Sequence, residues 1–158
     1  MTDFTHLDGE GRVRMVDVTD KPATDRRAVA EGLVRMSPLT LEKISSREIK
    51  KGNVLETARI AGVMAAKNTA SLIPMCHPLC ITYAAVDFFP DESSSSLRIV
   101  AEVRVKGETG VEMEAMTAVS VAALTIYDMC KSHDRTMSFY DIRLVEKSGG
   151  RSGHFKRD

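Results

Sequence analysis

From Ala115 to Tyr127 the chain carries no charged residue, and the run includes Thr117, Ser120 and Thr125. At 13 residues it is too short to cross a membrane, which takes ~20 apolar residues. It reads instead as the middle of a buried helix. Its side chains are small: Ala115, Ala118, Ser120, Ala122 and Ala123. Small residues let another backbone approach closely, so the helix is expected to pack tightly, against its own fold or against a second subunit. Thr109 with Glu112 three residues on has the form of a capping box. The helix is therefore predicted from Thr109 to about His133.

Around it the pattern changes period. Leu97, Ile99, Ala101, Val103 and Val105 alternate with Arg98, Glu102, Arg104 and Lys106, the mark of a strand with one face buried. Ile81–Phe89 is rich in β-branched and aromatic residues, and the serines Ser93–Ser96 follow Pro90, Asp91 and Glu92 as a turn. The two runs predict an antiparallel hairpin. Val29–Met36 and Met137–Val145 read as the first and last strands. Ser37 before Pro38 opens a helix to about Glu48, and Asn53 with Glu56 opens another over Val54–Asn68. The order is strand, two helices, strand, strand, helix, strand. That is the βαββαβ plan of an α+β ferredoxin-like sandwich, an antiparallel sheet packed on helices.

A length of 158 residues fits one domain with its own core. The domain is expected to span 1–158, with about 1–12 and 148–158 mobile. Lys plus Arg equals Asp plus Glu at 22 each, which argues against a nucleic-acid binder. The polar N-terminus is no secretory signal. Three cysteines, Cys76, Cys80 and Cys130, fit reduced thiols in a cytoplasmic protein.

Several groups could do chemistry. Pro74-Met75-Cys76-His77-Pro78-Leu79-Cys80 is a rigid connection in which His77 could bind an anion or move a proton. On spacing alone, the stretch is read rather as a structural histidine with two buried thiols. Cys76, His77 and Cys80 with Cys130 and His133 are metal-ligand types, but their spacing is loose, and no metal is expected. Lys106–Glu114 puts glycines and free N–H groups at a helix start, an anion-binding feature, beside Glu112 and Glu114. Asp128 and Lys131 share a helix face and could transfer protons. Glu114 and Asp128 are 14 residues apart, ~21 Å along a helix, so one small substrate can meet both only in a site shared between subunits.

Further blocks accompany these residues: Met15–Val18, Lys51-Gly52, Thr57–Gly62, Ile73–Leu79, Thr109–Ala115, Ala122–Lys131 and Lys147–Gly150. Together they resemble the cyclic pyranopterin monophosphate synthases of molybdenum cofactor biosynthesis, over almost the whole chain. The resemblance implies a ferredoxin-like lyase subunit. Its substrate would be a cyclised dihydroguanosine triphosphate, rearranged to a pyranopterin bearing a cyclic phosphate with release of diphosphate. It also implies a homohexamer, a trimer of dimers with sites between subunits, and no metal or organic cofactor.

Residue by residue, the resemblance makes Asp128 catalytic, with Lys51 and Lys131 as acid–base groups. Met75, Cys76, His77, Met113 and Glu114 would contact the substrate. Glu112, Lys67, Arg26 and Lys147 are further contacts, the cations on the triphosphate. A lysine whose pKa is lowered by neighbouring cations, as Lys51 is placed beside Lys50, can act as both acid and base. Two rival readings are a zinc-stabilised domain without catalysis and a regulator that binds a pterin or nucleotide.

Overall fold

The structure is a computed structural model that describes residues 6–158. Its elements are β1 (Thr24–Arg35), α1 (Pro38–Ser45), α2 (Val54–Lys67), α3 (Thr69–Leu72), β2 (Tyr83–Asp91), β3 (Ser96–Gly107), α4 (Glu112–Cys130), β4 (Ser138–Ser148) and β5 (Phe155–Lys156). The sheet runs β2-β3-β1-β4-β5, and every pairing is antiparallel. Without the short β5, this is the ferredoxin-like βαββαβ order.

The strand alternation decides which face is covered. Ile99, Ala101, Val103 and Val105 of β3 and Ala28, Ala30 and Val34 of β1 are buried in the core with α2 and α4. The opposite face carries charge in ladders. Arg27 donates to Glu102 and Glu146, and Glu31 pairs with Arg98 and Arg143. Helix α4 lies at the centre, packed on α2, β1, β3 and β4. Ala115, Ala118, Val119, Ala122, Ala123 and Ile126 are buried along it, as its small residues led us to expect. A Cβ on Gly62 of α2 would stand 3.0 Å from the Ala118 carbonyl oxygen of α4, so glycine sets how closely these helices approach.

The helix starts follow their capping chemistry in two of three cases. Ser37 accepts from Thr40 N, and Asn53 accepts from Glu56 N. The box expected at Thr109 is not formed. Val111 is the N-cap of α4, with no side-chain cap, and the Glu112 carboxylate that would close the box accepts from Lys147 instead. Helix α4 also stops at Cys130 rather than His133, with turns beyond it. Helix α1 stops at Ser45, short of Glu48, and Arg47 takes a left-handed φ of 61°. Helix α3 and strand β5 carry no signal in local periodicity. Pro90, which cannot donate to a ladder, falls on the edge strand β2.

Asp134 joins the first helix to the last connection. Its buried carboxylate accepts from Ser37 N at 2.7 Å and from Thr136 N and Oγ1 at 2.9 and 2.6 Å. These hydrogen bonds, those from Thr136 Oγ1 and Ser37 N foremost, hold it below the usual carboxylate range. Of the ends, residues 1–5 lie outside the described residues. Leu7 bridges Val13 around a turn in which Asp8 accepts from Arg12, and Phe155 and Lys156 pair with β4.

Candidate active site

A cleft of about 670 Å³ opens where the start of α4, the connection after α3 and the strand ends near Arg26 and Lys147 converge. It gathers Arg26, Met75, Cys76, His77, Glu112, Met113, Glu114 and Lys147, eight of the nine substrate contacts expected from the sequence. Lys67, the ninth, lines a smaller adjoining cleft of about 190 Å³ that shares His77 and Glu114 with the first. Lys21, Arg151, Ser152, His6 and the Val16 segment also line the large cleft. In the sequence Lys21 is one cation among several outside the elements, whereas Arg151 flanks a Gly- and Ser-rich tail able to wrap a phosphate; nothing pointed to His6.

Each side chain is held by chemistry that its position makes available. Arg26, near the start of β1, donates from Nε to Gly107 O at 2.8 Å and from Nη2 to Glu108 O at 2.9 Å. It thereby ties the strand to the loop before α4. The ring Nε2 of His77 lies 2.8 Å from the Val16 carbonyl. A carbonyl only accepts, so Nε2 carries the proton, and in the neutral ring Nδ1 is the acceptor. Lys147 donates to Glu112 at 2.8 Å and to Ser152 Oγ at 3.1 Å.

Glu114 differs from Glu112. It is 4% exposed, and burial pushes its carboxyl up to about 7, with the Glu112 charge adding to the rise and its own backbone N–H opposing it. A carboxyl that ionises near neutrality can give or take a proton at working pH. Burial also raises the Cys76 thiol, helped by Glu114, which keeps the thiol protonated. Cys130, buried, is raised to about 11 by desolvation. All three cysteines are free thiols. Among the described residues no three His, Cys, Asp or Glu side chains converge where one metal ion could be held.

Lys51, Asp128 and Lys131 stand together at the other end of α4. Lys51 Nζ donates to Asp128 O, and Lys131 Nζ donates to Asp128 Oδ1, both at 2.7 Å. The Lys131 ammonium lowers the Asp128 carboxyl, with Lys51 adding to it, and Asp128 in turn raises Lys131. The carboxylate of Asp128 thus holds Lys131 in its charged form. None of the three lines the clefts around Glu114.

An α+β sandwich whose cleft sets Lys21, Arg26, Lys147 and Arg151 beside a carboxyl ionising near neutrality is suited to binding an anionic small molecule and moving a proton on it. The chain belongs to the MoaC family, which it matches over residues 15–150. It is 63% identical over 158 residues to the cyclic pyranopterin monophosphate synthase of Desulforapulum autotrophicum, covering 100% of this chain and 97% of that protein. Against the synthase of Desulfatibacillum aliphaticivorans the identity is 63% over 155 residues, covering 98% of each. The synthase of Roseiflexus sp. (strain RS-1) is 61% identical over 158 residues and the whole of both chains.

Proposed function

We propose that the chain is a cyclic pyranopterin monophosphate synthase, a lyase of molybdenum cofactor biosynthesis acting in the cytoplasm. It converts (8S)-3',8-cyclo-7,8-dihydroguanosine 5'-triphosphate into cyclic pyranopterin monophosphate and diphosphate. The observation that carries this reading is one cleft that sets Arg26 and Lys147 beside the buried Glu114 carboxyl, in a chain that matches synthases along its whole length.

The chemistry asks for several proton transfers: opening the purine imidazole ring, rebuilding the pterin and closing a cyclic phosphate. In the last of these a substrate hydroxyl oxygen attacks the α-phosphorus. Its proton goes to a base, and the P–O bond to the leaving diphosphate breaks. Lys147 and Lys67, with Arg26 at the cleft wall, offset the triphosphate charge and that of the leaving group. Met75, Cys76, His77, Met113, Glu112 and Glu114 contact the base and sugar. Asp128, Lys51 and Lys131 perform the proton transfers. No metal or organic cofactor takes part, and neither nucleic acid nor a membrane is a partner.

A single chain holds these two sets at opposite ends of α4. Residue 121 lies midway between Glu114 and Asp128, so a two-fold axis crossing α4 there would bring the start of one helix beside the end of its copy. Leu124 on that helix and Ile60 and Met64 on α2 are 57%, 61% and 57% exposed, an apolar surface suited to such a contact. The assembly is a homohexamer, a trimer of dimers, with each site shared by two copies.

The test supplies the cyclised triphosphate to the purified protein and measures pyranopterin product and diphosphate, expected in equal amounts. Binding without diphosphate release would replace the enzyme with a regulator. One zinc per chain, lost in Cys76→Ser, would favour a zinc-stabilised domain.

A further inference from the structure

The carboxylate of Glu112 folds back over Gly110. A Cβ on Gly110 would collide with Glu112 Oε2, and its three nearest neighbours would all be atoms of the Glu112 carboxylate. From that position Glu112 Oε1 accepts from Lys147 Nζ at 2.8 Å. Glu112 and Lys147 are half-buried in the cleft, their side chains 28% and 26% exposed. Lys147 is one of the cations on which the proposed function relies. Its partners within the chain are a carboxylate and a hydroxyl that line the same cleft, Glu112 and Ser152.

We infer that Glu112 is an internal competitor for the polyphosphate position at Lys147, and that the lack of a side chain at Gly110 leaves the room in which Glu112 takes up this place. The inference rests on the reading of the cleft as a triphosphate site and deepens it. A ligand phosphate that reaches Lys147 displaces the Glu112 carboxylate. For an inorganic polyphosphate, or for released diphosphate, that exchange brings no second contact. A ligand that carries polyphosphate together with N–H donors, as a guanine-derived ring does, gives the displaced carboxylate a new hydrogen-bond partner. The pair thus favours a ligand with both parts over either fragment, and it weakens retention of the diphosphate product. Specificity arises here from a repulsive element within the site.

Two substitutions separate position from charge. Gly110→Ala leaves the Glu112 charge in place but expels the carboxylate from its position beside Lys147. The atoms that must yield are the end of one flexible side chain. Glu112→Gln keeps the position and removes the charge. Inorganic tripolyphosphate, titrated calorimetrically into wild-type protein and both variants, is expected to bind each variant about threefold to fivefold tighter than wild type. In Glu112→Gln, adding Gly110→Ala should change nothing further. With Lys147→Ala in place, adding Glu112→Gln should no longer tighten binding.

Tightening in Glu112→Gln but not in Gly110→Ala would reduce the effect to general charge and overturn the inference. Unchanged or weaker binding in both variants, or no tripolyphosphate binding by any form, would also overturn it. Circular dichroism at the titration temperature confirms that each variant is folded. The readout involves no turnover, so its failure is distinct from failure of the synthase assay.

Discussion

Lys51 donates its ammonium to the main-chain carbonyl of Asp128 at 2.7 Å, across 77 positions of the sequence. The contact ties the connection between α1 and α2 to the last turn of α4. With Lys131 on the Asp128 carboxylate, it gathers all three proposed proton-transfer residues at one end of α4, while Glu114 lies in the cleft at the far end of the same helix.

Subunit mixing tests this division. Lys51→Ala, Asp128→Ala and Glu114→Gln are each expected to lower turnover by about 100-fold or more while leaving the fold intact. A mixture of Lys51→Ala with Asp128→Ala, after subunit exchange, should stay inactive, since both changes damage the same half of the site. A mixture of Asp128→Ala with Glu114→Gln should recover about a quarter of wild-type activity at random pairing, because mixed dimers keep one intact site. Recovery in the first mixture, or none in the second despite proven exchange, would refute the shared arrangement.

The Glu114 carboxyl sets a pH dependence of stability. Its pKa is about 7 in the fold against an ordinary 4.5, so between these values the folded chain holds a proton that the unfolded chain has lost. Stability from this group is therefore fully present below pH 4.5 and declines as pH rises through 7, by on the order of 2–3 kcal/mol. Glu114→Gln lacks this decline. Chemical denaturation at pH 5 and pH 8, at one protein concentration, should show the variant gaining on wild type at the higher pH. Parallel slopes for the two proteins would mean that Glu114 is not buried as described.

The contact between α2 and α4 gives a third expectation. Gly62→Ala gains ~1 kcal/mol of helix propensity. Its new Cβ, however, meets Val86 Cγ2 at 2.9 Å and the Ala118 carbonyl oxygen at 3.0 Å. A backbone oxygen cannot rotate aside, and overpacking of this kind costs ~1–3 kcal/mol. The variant should melt lower than wild type by a few degrees, and Gly62→Leu by far more. A higher melting temperature for Gly62→Ala would show that the helices separate at little cost.

What the sequence disclosed follows from the range of each signal. The alternation from Leu97 to Lys106 and the caps at Ser37 and Asn53 act within a few residues, and they were legible as strand and helix starts. The box at Thr109 misled for the same reason: its local pattern is sound, but Lys147, 35 positions away, takes the Glu112 carboxylate. The candidate site residues came from matching blocks, and the distance along α4 already indicated that they fall into two groups.

The order of the four long strands and three long helices, the small-residue helix that must be buried and the residue types available for proton transfer and phosphate binding all lay in the sequence, though α3 and β5 did not. Only the tertiary structure decided which of those groups meet. It paired Lys51 with Asp128, fixed the His77 tautomer through the Val16 carbonyl and set Glu112 on Lys147. It also removed Glu114 from water far enough to move its ionisation to about pH 7. Periodicity and capping are written in neighbouring residues. Hydrogen bonds between distant segments and the desolvation of a carboxyl exist only once the sheet and helices have packed.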